Sequence, residues 1–275
     1  MQNRHADLDN IITQKPVPPS NSERPKARPI QTSTRQSMSY VTVAGIQSDT
    51  SWREQDFVKE SVKELVSNCH DFLRETYPNG TKETNKIQVQ LKIDTIPTES
   101  EYYKRIVARI AVRNTNIDNV PVFEDLKPIF DYTLFVSTKR NQHKISSGAL
   151  GDFLKRSLGM GYALWTNDYN REDSVTTNDI QWSEPVILRH NNTENKVFLH
   201  VNWDKQEYYP IFSEPTEYDA PDFTEVEVAL PIDSTSNDYW RDNIDFIIKQ
   251  VQEYIKRAKI AKSNVDLSLI VIRGI

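Results

Sequence analysis

Glu64-Leu-Val-Ser-Asn68-Cys-His-Asp71 is the stretch on which the reading of this chain turns. It sets a carboxylate, an amide and a second carboxylate at i, i+4 and i+7. On an α-helix those three project from one strip. A carboxylate can take a proton from water, and an amide oxygen can hold a hard cation such as Mg²⁺. The strip therefore suits a nucleotide-hydrolysing site, and spacing alone suits a solvated polar margin equally well.

Around that strip the helix is well marked. Val58, Val62, Leu65, Val66, Cys69, Phe72 and Leu73 form an apolar stripe at helical spacing, with Glu64, Asn68 and Asp71 along its margin. Ser51-Trp-Arg-Glu54 fits a capping box at the start, and Tyr77-Pro-Asn-Gly80 supplies turn residues at the end. His70 reads as a lone surface histidine.

Downstream, Ile87–Ile93 alternates strictly and Arg105–Val112 is β-branched and apolar, so both read as strands. A polar loop from Asn114 to Asn119 follows, then a short helical stretch over 123–130. A helix is expected from Asp152 through Leu158. Strands are expected over 185–189, 196–203 and 224–230, a helix over 238–261 and a last strand over 265–272. Helices at the start and middle with strands between them indicate an α+β fold: a two-layer sandwich, one mixed sheet with helices packed on one face.

Composition bounds the classes. The chain has 275 residues and a formal charge of −5. That size suits one large domain or two small ones, and the charge argues against a general nucleic-acid coat or a basic membrane-surface protein. The single cysteine, Cys69, rules out an intrachain disulfide and Cys-rich zinc sites. No apolar run approaches the roughly 18 residues of a membrane span, so a soluble cytoplasmic protein is expected. Residues 1–38 hold 5 of the 14 prolines and no aromatic residue. They read as a disordered, mildly basic tail ahead of a body over 39–275. DNA contact, if any, is expected to be indirect or through this tail.

Ser147-Gly-Ala-Leu-Gly151 stands before the middle helix. Glycines at a helix entry let backbone N–H groups approach phosphate, although a plain helix-entry turn explains them as well. The Gly-Lys-Ser/Thr of a Walker A loop is missing.

Taken together, these motifs resemble the GHKL (Bergerat-fold) ATPase superfamily. The strip 64–71 is similar to its E-L-x-x-N-x-x-D motif. Within the superfamily the chain is most similar to the ATPase domain of topoisomerase VI B subunits. Phe130–Lys139, Ser147–Lys155, Gly161–Leu164, Thr224–Pro231 and Tyr254–Lys259 carry that likeness, over about residues 50–270. The resemblance implies ATP and Mg²⁺ as ligands, with Glu64 as general base and Asn68 as the metal ligand. It implies Asp71 near the nucleotide, Gly148, Leu150 and Gly151 in a phosphate lid, and Thr224 in the adenine network. Lys139 would contact phosphate or be a solvated loop lysine. The family's D-x-G-x-G adenine motif is absent; Asn114 or Asp118 would replace its aspartate, or both are turn residues. Phe223 stands where a glycine usually precedes the strand threonine. Implied partners are a chain carrying a transducer domain or a DNA-cleaving subunit, or a second copy of this chain. The alternative reading is a degenerate module that senses nucleotide, or only binds partners, without turnover.

Overall fold

The computed structural model describes residues 30–33, 38–77, 85–97, 104–115, 117, 127–132, 134–137, 153–166, 179–182, 184–219, 223–233, 240–262 and 264–274. In chain order the elements are β1 (Ile30–Ser33), α1 (Val43–Thr50), α2 (Phe57–Thr76), β2 (Lys86–Pro97), β3 (Lys104–Thr115), β4 (Leu134–Ser137), α3 (Phe153–Thr166), β5 (Asp179–Gln181), β6 (Val186–His190), β7 (Thr193–Asn202), β8 (Glu207–Phe212), β9 (Thr216–Glu217), β10 (Phe223–Pro231), α4 (Trp240–Ala261) and β11 (Asp266–Arg273).

Nine strands form one sheet in the order β11-β2-β3-β10-β6-β7-β5, with β8 and β9 also on β7. β11 runs parallel to β2, and every other pairing in the sheet is antiparallel, so the sheet is mixed. Alternation explains its two faces. Val89, Leu91, Ile110, Val112, Val228 and Leu188 point to one face and are buried. That inner face carries the helices: α2 on β2 and β3, α4 on α2 and β11, and α3 on β10, β6 and β7. The fold is therefore α+β, with the helix layer on one side. Each fully buried Val, Leu or Ile of this core contributes roughly 1.5–3 kcal/mol. Among the described residues no helix is long and apolar enough to cross a membrane.

Three expectations need correction. The capping box does not form. Ser51 is instead the left-handed C-cap of α1, with φ 60° and its N–H donating to Gln47 O. The entry to α2 is fixed one turn later by Asp56, whose carboxylate accepts from Arg53 Nε, Lys59 Nζ and Gln250 Nε2. Burial pushes this carboxyl up, but those bonds hold it below the usual carboxylate range. Of the helical stretch expected over 123–130, residues 127–130 are described and form a 3-10 helix, Lys127–Phe130. The middle helix runs eight residues past Leu158, through Gly159 and Gly161. Both glycines are required by close approach: a Cβ would lie 1.9 Å from Tyr40 O at Gly159 and 2.6 Å from Trp182 Nε1 at Gly161. Finally, Ile30–Ser33, inside the segment read as a tail, pairs antiparallel with β4.

The end of α3 is anchored by a buried ion pair. Arg105 Nε donates to Asp233 Oδ1 at 2.8 Å, while its other nitrogens donate to Trp165 O and Leu164 O. Those carbonyls belong to the last turn of α3, which would otherwise lack partners. Asp233 Oδ2 accepts from the Ile106 N–H. Burial nevertheless raises the Asp233 carboxyl, against the pull of Arg105.

Candidate functional site

The C-terminal half of α2 lies across β3, and one side chain marks where they meet. Asn114 is the next-to-last residue of β3 and points to the inner face. It is 1% exposed. Its Nδ2 donates to Cys69 O at 3.4 Å, in the turn of α2 that carries Asn68 and Asp71. That contact turns Oδ1 away from the helix backbone, and Oδ1 has no hydrogen-bond partner. A buried amide oxygen without a donor costs roughly 1–3 kcal/mol, so it calls for an explanation.

Asn114 begins a transverse polar row. Thr224 on β10 is directly opposite it, His190 on β6 is opposite Thr224, and Thr193 on β7 is opposite His190. His190 is buried, and Asn195 Nδ2 lies 3.4 Å from its Nε2. Asn195 is fully buried and its Oδ1 also lacks a partner. His190 and Asn195 were missed at the level of sequence. The signal that could have found them is Asn191-Asn192. Both residues adopt positive φ, 48° and 61°, and such a two-residue loop fixes hairpin register.

On α2 the predicted strip is present. Glu64 and Asn68 are half-buried and Asp71 is buried. Ser61, one turn before Glu64, is fully buried and its Oγ has no partner. Tyr254 of α4 borders the strip. Burial pushes its phenol up to about 12; a hydrogen bond with Ser67 opposes the rise, and the charges of Glu64 and Glu60 add to it.

His70 is not a surface residue. It is buried, with Nε2 3.4 Å from Asn264 Oδ1. Its ring sits below the usual histidine range because of burial first, then Lys262 and Arg74; Asn264 and Asp71 pull the other way. Burial also pushes the Cys69 thiol up to about 12, which removes it as a nucleophile.

The structure thus brings Asn114 and Thr224 side by side beneath the α2 turn bearing Asn68 and Asp71. Asp118, Lys139, Gly148, Leu150 and Gly151 lie outside the described residues. Phe223 does not share the inner face with Thr224. Its ring stacks under the Arg113 guanidinium at 3.8 Å on the outer face, so its bulk does not enter the row.

The outer face behaves differently. A groove of about 480 Å³ is lined there by Arg109, Arg113, Arg189, Glu225 and Glu227 among others. Arg113 Nε donates to Glu225 Oε2 at 2.8 Å, and Arg189 reaches Glu194, Glu225 and Glu227. Arg109 pairs with Glu184. These charges neutralise one another and offer an incoming ion little uncompensated field.

A scan against protein-family models finds no match for this chain, and a search of curated proteins finds none.

Proposed function

We propose that the region where α2 meets the inner end of β3 and β10 binds Mg-ATP, and that the chain hydrolyses it slowly. The observation that carries this reading is Asn114 Oδ1, a buried acceptor with no donor, beside Thr224 and below the Glu64, Asn68 and Asp71 strip. An orphan acceptor favours a base that presents an amino group at that edge, as adenine does. It disfavours guanine, which presents a carbonyl there. Thr224 adds a hydroxyl on the neighbouring strand. This arrangement supports a Bergerat-type nucleotide site in which Asn114 takes the place of the usual aspartate.

Among the described residues no three His, Cys, Asp or Glu side chains gather into a metal-binding set. In this reading Asn68 would offer its amide oxygen, a ligand of the hard type Mg²⁺ takes, to a metal bound with the nucleotide phosphates, where it would neutralise phosphate charge. Glu64, one turn before Asn68, takes a proton from the water that attacks the γ-phosphorus as the bond to the bridging β,γ-oxygen breaks. Charge building on the γ-phosphoryl oxygens needs a further cation. A partner's transducer domain is the proposed source, which makes the chain the ATPase module of a topoisomerase-like or other DNA-processing assembly.

Two measurements test this. Mg-ATP should raise the melting temperature, as any ligand of the native state does, and turnover by the chain alone should be slow and rise when a transducer-bearing partner is added. Absence of any melting shift at millimolar Mg-ATP overturns the binding claim. A shift without turnover under either condition leaves a nucleotide sensor and overturns the hydrolytic one.

A further inference from the structure

A run of buried hydrogen bonds where β6 turns into β7 fixes how His190 presents its ring. Thr193 Oγ1 donates to His190 O at 2.8 Å. A carbonyl oxygen can only accept, so the hydroxyl hydrogen is committed there and Oγ1 is left as an acceptor. Asn195 Nδ2 donates to that oxygen at 3.3 Å. This fixes which end of the Asn195 amide faces the histidine: the same NH₂ group lies 3.4 Å from His190 Nε2. A ring nitrogen that meets a donor must accept, so the imidazole carries its hydrogen on Nδ1. The arrangement is kept at a cost. Asn195 is fully buried, and among the described residues its Oδ1 has no donor, which opposes folding.

The position of His190 gives that tautomer a use. His190 is opposite Thr224 on β10, and Thr224 is opposite Asn114 on β3. Thr224 is thus flanked on the inner face by an acceptor, Asn114 Oδ1, and a donor, His190 Nδ1–H. The backbones of the two flanking residues are two strand spacings apart, roughly 9–10 Å, which one base edge with its two hydrogen bonds can span. The edge of adenine complements the pair: the amino group on C6 donates and the neighbouring ring nitrogen N1 accepts. Guanine reverses both, with a carbonyl on C6 and a hydrogen on N1. We infer that His190 is a second base-reading residue of the site. Its Nδ1–H donates to N1 of adenine while Asn114 Oδ1 accepts from the amino group, and Asn195 is the positioning residue that fixes the tautomer. The inference rests on the nucleotide reading above, though not on hydrolysis, and adds to it a demand on N1 that Asn114 alone does not make.

The test is calorimetric titration of the full chain with the Mg²⁺ complexes of a non-hydrolysable ATP analogue and of its 1-deaza counterpart, in which C–H replaces N1 and the amino group stays. The wild-type chain should bind the 1-deaza compound roughly 5- to 150-fold more weakly, because a buried donor loses its acceptor. His190→Phe should weaken binding of the parent analogue and bind the two compounds alike. His190→Asn, whose amide nitrogen can take the place of Nδ1, should restore the discrimination, which a merely space-filling role would not do. Long-range ¹H–¹⁵N spectra of the free chain, with the His190 signals assigned by their loss in His190→Asn, should show the ring hydrogen on Nδ1. Equal binding of the two compounds by the wild-type chain overturns the inference and leaves the nucleotide reading standing. So does a folded His190→Phe protein that still discriminates, or a ring that carries its hydrogen on Nε2. Binding of neither compound at millimolar concentration overturns the nucleotide reading and this inference with it. Should His190→Phe not fold, the wild-type comparison and the tautomer remain decisive.

Discussion

Two polar rows cross the same three strands, one residue apart, on opposite faces of the sheet. The outer row is Arg113, Glu225 and Arg189; the inner row is Asn114, Thr224 and His190. The outer row is closed, since Glu225 accepts from both arginines. The inner row is open at Asn114 Oδ1. The difference separates two uses of polar groups near a core. Paired charges hold strands in register and leave nothing for a ligand. A buried acceptor without a donor costs stability in the free protein and recovers it only when a donor arrives.

The contrast breaks most visibly at the chemistry above the inner row. Glu64→Ala should lower turnover by about 10²–10⁴-fold, the usual contribution of a general base, while binding of Mg-ATP persists. Steady-state hydrolysis with a separate binding titration checks this, and wild-type turnover in the variant removes Glu64 from the reaction.

Where charges are already paired, at the end of α3 and in the outer row, substitution should unfold rather than silence. Asp233→Ala leaves the Arg105 guanidinium buried without its carboxylate and should cost about 3–5 kcal/mol, read as a lowered denaturant midpoint. Glu225→Ala strands Arg113 and takes one of three carboxylates from Arg189; both arginines are nearer solvent, so it should cost less, about 1.5–3 kcal/mol. Asn114→Leu should behave in the opposite way. It removes an orphan oxygen and one long bond to Cys69 O, so the free protein should keep its stability within about 1 kcal/mol. A large loss of stability in Asn114→Leu would make that residue structural.

The smallest expected effect is on pH. The folded state holds the His70 ring below its ordinary value of 6.5. The unfolded chain therefore binds the proton more readily, and stability should fall as pH drops through about 6.5, levelling off once the folded ring protonates too. Urea midpoints at pH 8 and pH 5.5 report it, and His70→Asn should shrink the difference.

How much of this was legible beforehand follows from range. The α2 stripe and its polar strip are local, so periodicity located Glu64, Asn68 and Asp71 along one margin. The β3 and β10 strands were legible for the same reason, but β3 runs on to Thr115 and takes in Asn114, which the sequence reading placed in a loop. The start of α2 was not, because Asp56 is held partly by Gln250 of α4, a contact made only after folding. The burial of His70 likewise depends on Asn264. The extension of α3 through two glycines depends on Tyr40 and Trp182 lying against it, which no helix propensity reports. The inner row rests on register. Asn114, Thr224 and His190 are far apart in sequence and become neighbours through hairpin geometry. The resemblance to a nucleotide-binding family singled out Asn114 and Thr224 but not His190 or Asn195.

The most direct measurement is calorimetric titration of the wild-type chain and of Asn114→Leu with the Mg²⁺ complexes of non-hydrolysable ATP and GTP analogues. The wild-type chain should bind the ATP analogue and reject the GTP analogue, and Asn114→Leu should lose about 1–3 kcal/mol of affinity for the ATP analogue, roughly 5- to 150-fold. Equal binding of the two analogues, or undiminished binding of the ATP analogue by a folded Asn114→Leu protein, would contradict it.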